Sequence, residues 1–275
     1  MNLPIEIIDY RQFTLNKETA LYSVIDAFRK DGCFFLTYPC INVDLMKEGK
    51  KYFKDFFTTV PLDTRMAHSY ITELGMKGYM VETLMEIPKN LNEQYFDVSL
   101  NNVAFVGLLP SFQRYTNLLW HAFNNLSEKL MRNISLTLDQ PHDYFEDQRC
   151  REGCSVLRGI YFLGERKPRK NDIFTKYVTR PSVITLLSIE KGSELQILQN
   201  GEWVPVTMPD SDFFLISVGN VLKSVTNGIY KTPIYQILSE PCKELASMLF
   251  FHNVHHDFNS LPLPLFELYK QNRRI

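Results

Sequence analysis

Six histidines bound the metal and acid–base chemistry open to this chain: His68, His121, His142, His252, His255 and His256. None lies between His142 and His252. The run His255-His256-Asp257 spells a His-x-Asp pair. It falls after the last strand-like segment, and no histidine follows it to complete a ligand set, so it reads as a loop cluster. His68, His121 and His142 share no spacing and read as surface or capping residues. Cys150 and Cys154 stand four apart without a second pair, too few ligands for a closed zinc site. No Gly-x-Ser-x-Gly elbow, phosphate loop or dinucleotide glycine pattern occurs. From residue types alone the catalytic residues are unknown and no metal site is expected.

The elements that must position any site change character near Gly153. Before it, helices dominate. Leu21, Val24, Ile25 and Phe28 recur at helical spacing over Thr19 to Lys30, with Gly32 as a stop. Leu45 to Phe57 predicts a second helix. Ser111 to Leu138 predicts a third, with an apolar stripe that core packing explains. Ile5 to Asp9 and Cys33 to Tyr38 read as strands. After Gly153 come short strand-like runs: Val156–Leu163, Val183–Ile189, Leu195–Leu198, Trp203–Thr207, Phe213–Ser217, Ile234–Leu238 and Met248–Phe251. Asn200-Gly201 is a two-residue hairpin signal between two of them. Such a series predicts a sandwich or barrel.

The bulk numbers exclude several classes. With 275 residues, 45% of them hydrophobic, the chain can bury a full core. Thirty basic and thirty-one acidic residues give a net charge of −1, so no long-range pull toward nucleic acid or membrane is expected. The short basic run Arg166 to Lys170 contains a proline and reads as a solvated loop. There is no signal-like N-terminus and no apolar run long enough to span a bilayer. Five irregularly spaced cysteines suggest reduced thiols and a cytoplasmic setting.

Several motifs stand in the order of a known family. Asp31-Gly32-Cys33-Phe34-Phe35-Leu36, the Lys77-Gly78-Tyr79 turn and Asn92 to Asp97 come first. Arg158-Gly159-Ile160-Tyr161-Phe162, Leu195 to Leu198, the Asn200 to Val206 hairpin with Trp203, and Thr226-Asn227-Gly228 with Lys231 follow. Together they resemble the isopenicillin N synthase-like branch of the Fe(II)/2-oxoglutarate oxygenases. The resemblance implies an α+β fold dominated by β, in which a double-stranded β-helix (jelly roll) is backed by an N-terminal helical layer. It implies a single domain over 1–275, mainly helical over 1–150, with the jelly-roll core over 151–257 and a tail over 258–275.

That family holds Fe(II) with a His-x-Asp pair and a distant histidine, and holds 2-oxoglutarate with an Arg-x-Ser on a late strand. Strand residues i and i+2 share a face, so both members of such a pair can aim at one group. Aligning Ile184-Thr185-Leu186-Leu187 and Thr226-Asn227-Gly228 with the family places Val178, Arg180 and Tyr235 at the three iron positions. Leu245 falls at the cosubstrate arginine and Ser247 at its serine, with Tyr161 beside them as a further cosubstrate-equivalent position. A valine offers no lone pair. A guanidinium in place of a carboxylate repels a cation. No cofactor is therefore expected where the family would use Fe(II) and 2-oxoglutarate. The expectation is a degenerate oxygenase that binds a small molecule, an anionic one if Arg180 points inward, or a protein partner. The alternative is an enzyme with a non-standard site in the same pocket, either an oxidoreductase or a metal-independent catalyst.

Overall fold

The computed structural model describes residues 3–72, 75–81, 93–99, 110–147, 155–162, 173–177, 182–189, 193–210, 212–238 and 245–253. Two sheets carry the described strands. The larger runs in the order β1 (Ile7–Asp9), β2 (Cys33–Thr37), β11 (Phe213–Val218), β8 (Ile184–Ser188), β13 (Leu245–His252), β6 (Val156–Phe162), β5 (Glu93–Val98), β4 (Gly75–Val81) and β3 (Ser69–Thr72). The smaller runs β10 (Glu202–Pro205), β9 (Glu194–Gln199), β12 (Tyr235–Leu238) and β7 (Ile173–Tyr177). Every pairing is antiparallel except β1 with β2.

Alternation along the strands divides the apolar residues into two cores. Phe35, Leu187, Leu215 and Leu249 of the large sheet meet Leu195, Ile197, Tyr235 and Ile237 of the small one, so the two sheets face each other as a jelly roll does. The opposite face of the large sheet packs against helices α2 (Lys17–Lys30), α3 (Val43–Thr59) and α5 (Pro110–Thr137). Aromatic rings join these layers: Phe123 of α5 stacks on Phe250 of β13 at 5.7 Å between centroids.

Two glycines permit close approaches. Gly32 has φ +74°, and a Cβ there would lie 2.3 Å from the Lys231 carbonyl oxygen. At Gly159 of β6 a Cβ would fall 2.1 Å from the Phe53 ring, so the bare backbone is what lets α3 lie on the sheet.

The Asn200-Gly201 hairpin forms as expected, with Gln199 opposite Glu202 and φ of +52° and +87° at the two turn residues. Thr226-Asn227-Gly228 closes the short helix α7 (Asn220–Val225), the Gly228 amide donating to the Lys223 carbonyl at 2.7 Å. Two expectations change. Lys77-Gly78-Tyr79 is not a turn but the middle of β4, paired with β3 and β5. The helical and jelly-roll parts also share one sheet, because β1 to β5 all come from the first 150 residues.

Candidate functional site

The register of the small sheet shows where the expected site should gather. β7 ends at Tyr177, whose partner across the ladder is Tyr235, the first residue of β12. Position 178 follows directly in sequence, so the end of β7 and the start of β12 adjoin. Val178 and Arg180 themselves lie outside the described residues, as do Cys150, Cys154, Arg166 to Lys170 and His255 to Asp257. Tyr235 is 4% exposed and belongs to the core between the sheets.

The cosubstrate-equivalent strand behaves consistently for Ser247. Leu249 and Phe251 of β13 turn into the barrel, while Met248 and Phe250 turn toward the helices. Position 247 shares the barrel face by alternation. Across the ladder, Leu245 stands opposite Phe162 and Ser247 opposite Ile160. The Ser247 hydroxyl is buried and has no hydrogen-bond partner among the described residues.

Tyr161 does not join them. On β6, Ile160 belongs to the barrel core, while Leu157 and Tyr161 belong to the helix-side core. The Tyr161 ring lies stacked on Phe57 of α3 with centroids 5.6 Å apart. The strand's two-residue period sends it to the wrong face for a cosubstrate contact.

Residue-type reasoning missed an ion pair beside this row. The Arg158 guanidinium donates from Nε to Asp97 Oδ1 at 2.6 Å and from Nη2 to Oδ2 at 2.5 Å, with the residues 2% and 5% exposed. The Tyr95 ring lies 3.7 Å from the guanidinium carbon, and Phe251 flanks it at 5.6 Å. The available signal was two charged residues inside otherwise apolar strand runs, Leu157-Arg158-Gly159-Ile160 and Tyr95-Phe96-Asp97-Val98.

His252 closes β13 and is 2% exposed. It shares the face of Met248 and Phe250, away from the barrel interior. Burial pushes its imidazole down to about 4, so it is neutral near pH 7. His68, which follows a short helix, donates from Nδ1–H to the Thr64 carbonyl at 2.6 Å.

Residues 153–253 match the model of the 2OG-Fe(II) oxygenase superfamily. Over this stretch, which runs from β6 to β13, the chain is similar to that superfamily. Among its relatives is homoarginine-6-hydroxylase 2-ODD-233 of Oryza sativa subsp. japonica, 24% identical over 84% of this chain and 76% of the relative. Homoarginine-6-hydroxylase 2-ODD-C23 of Glycine max is 27% identical over 50% of this chain, which spans only 44% of that relative's length. Among solved structures, JOX2 in complex with 2OG, Fe and JA superposes with a TM-score of 0.77 at 20% identity, covering 93% of this chain and 76% of that one. The dioxygenase for auxin oxidation in rice gives 0.77 at 18% identity, covering 98% and 95%. These structural likenesses fix the fold.

This similarity makes Fe(II) and 2-oxoglutarate the groups to test against the barrel. The described residues do not fit them. No imidazole comes from the barrel strands except His252, which faces the helices, and no cluster of three metal-ligating side chains occurs among the described residues. On β13 the serine of the cosubstrate pair is present without its arginine. The described interior guanidinium, Arg158, already spends two donors on Asp97.

Proposed function

We propose that this chain is a degenerate member of the superfamily that has given up iron chemistry and uses its barrel to bind a small molecule or a protein partner. The observation that carries this reading is Tyr235, a buried phenol at the start of β12 where the family would place an imidazole, in a chain with no histidine from 143 to 251. Replacement of the three iron ligands by Val178, Arg180 and Tyr235, together with Leu245 in place of the cosubstrate arginine, supports abandonment of the chemistry rather than retuning. Arg180 would bring a cation to the former carboxylate position, which favours an anionic ligand such as a carboxylate or phosphate. No described helix is long and apolar enough to cross a membrane. The odd, irregularly spaced cysteines support a cytoplasmic protein, and the balanced charge supports one that binds neither membrane nor nucleic acid. Anaerobic calorimetric titration of the full chain with Fe(II), with and without 2-oxoglutarate, is expected to show no stoichiometric binding. Binding of one equivalent at micromolar concentration would end this reading.

A second reading has its own support, since the relatives named above are hydroxylases. In that reading the chain remains an enzyme with a non-standard site built around Arg180 and Tyr235. Turnover of an anionic substrate that vanishes in Arg180→Ala, while the variant keeps its melting temperature, would establish it.

A further inference from the structure

Helix α2 carries two stripes. Ala20, Val24, Ala27 and Phe28 are buried in the helix-side core. Glu18, Leu21, Tyr22, Ile25 and Arg29 instead line an open groove of about 660 Å³. That volume falls within the range of roughly 300–1,000 Å³ typical of ligand-binding clefts. Helical spacing explains the division. Eleven residues make three turns plus about 20°, so Glu18 and Arg29 stand on one line about 16 Å apart, with the apolar trio between them. The facing wall comes from Thr137 at the end of α5, from Asp139 just beyond it, and from the Asn227 to Tyr230 segment after α7.

Three features set this groove apart from ordinary surface. Tyr22 and Ile229 expose 60% and 56% of their surface at its edges, large apolar groups that the core leaves uncovered. Glu18 and Arg29 have no ion-pair partner among the described residues. Finally, the 28-residue α5 ends here with no basic residue in its last turn, so its carbonyl-rich end and Asp139 add negative character to the facing wall.

We propose that this groove receives an extended segment of a partner protein with a basic residue at the Glu18 end, apolar residues over Leu21, Tyr22 and Ile25, and an acidic residue at the Arg29 end. Charge complementarity fixes the ends of the segment. Helix geometry fixes their separation, since about 16 Å corresponds to roughly five residues of extended peptide at ~3.3 Å each. Recognition here lies outside the barrel and is independent of what the barrel holds.

The test is an array of peptides, each with one lysine and one glutamate separated by two to ten leucine, phenylalanine and serine residues. The array is probed with the labelled full chain. Retention is expected to peak at a separation of about five residues, about tenfold above peptides with both charges replaced by serine. The exposed single substitutions Glu18→Lys and Arg29→Glu should each abolish the peak, and the double swap should restore it with the peptide reversed. Circular dichroism of each variant checks that the fold is intact. Retention that ignores the separation, or a peak that survives both single substitutions in folded protein, would overturn the proposal.

Discussion

Arg158 and Asp97 meet through two parallel hydrogen bonds of 2.6 and 2.5 Å, on neighbouring strands whose register sets the two residues directly opposite. The pair is buried beneath the Tyr95 ring. It leaves this part of the barrel polar but charge-balanced, a place where an added anion would have to compete with Asp97 for the guanidinium. Removing one partner strands the other charge away from water, which typically costs about 3–5 kcal/mol. Asp97→Ala is therefore expected to lower unfolding free energy by that order in urea titration. The double substitution Asp97→Leu with Arg158→Met should recover most of the loss, because no lone charge then remains.

His252 makes stability depend on pH in a defined window. Its folded pKa is lowered by burial to about 4 from a reference of 6.5, so below 6.5 the unfolded chain takes up a proton that the folded chain refuses. Stability contributed by this residue is whole above pH 6.5, declines as pH falls to about 4, and then levels off. The decline is on the order of 3 kcal/mol. Urea titrations at pH 7 and pH 4.5 should show a smaller difference for His252→Met than for the native chain. Equal differences would place His252 in contact with water.

Gly32 and Gly201 both adopt positive φ, yet only Gly32 is hemmed in. At Gly201 a Cβ would meet nothing within 4 Å, so Gly201→Ala should cost only the left-handed backbone penalty of about 1–2 kcal/mol. Gly32→Ala adds a collision with the Lys231 carbonyl and should lower the melting temperature distinctly further. Thermal unfolding of the two variants side by side makes the comparison.

Ser247 gives a prediction of the opposite sign. Its buried hydroxyl has no partner among the described residues, so Ser247→Ala should leave stability unchanged or raise it by up to about 1 kcal/mol. A loss beyond that would mean the hydroxyl is satisfied in the folded chain.

Much of this architecture was legible in the sequence because its signals are local. The Asn200-Gly201 hairpin, the α5 stripe and the short strands after Gly153 each rest on a few neighbouring residues, and each forms within two residues of its expected bounds, except the last strand, which begins three residues earlier. Strands β3 and β4 were missed, since glycines and mixed polarity hide their period and their pairing is settled by β5. β7 was missed too, although the site's register depends on it. Tyr161 was assigned to the wrong face because a motif match gives order along the chain, whereas facing follows from a parity that one residue reverses. The Arg158–Asp97 pair joins residues 61 apart, and nothing local announces such a partner. For α2, periodicity alone could not say that Leu21 and Ile25 are only partly buried and line the groove.

The central claim is that this barrel does not retain iron, and the metal content of the full chain tests it most directly. The purified protein would be incubated anaerobically with excess Fe(II) and 2-oxoglutarate, desalted, and analysed for iron per chain. The account predicts a ratio near zero, unchanged when Tyr235 is replaced by phenylalanine. A ratio near one that falls in Tyr235→Phe would contradict it and make the phenol a ligand of a working centre.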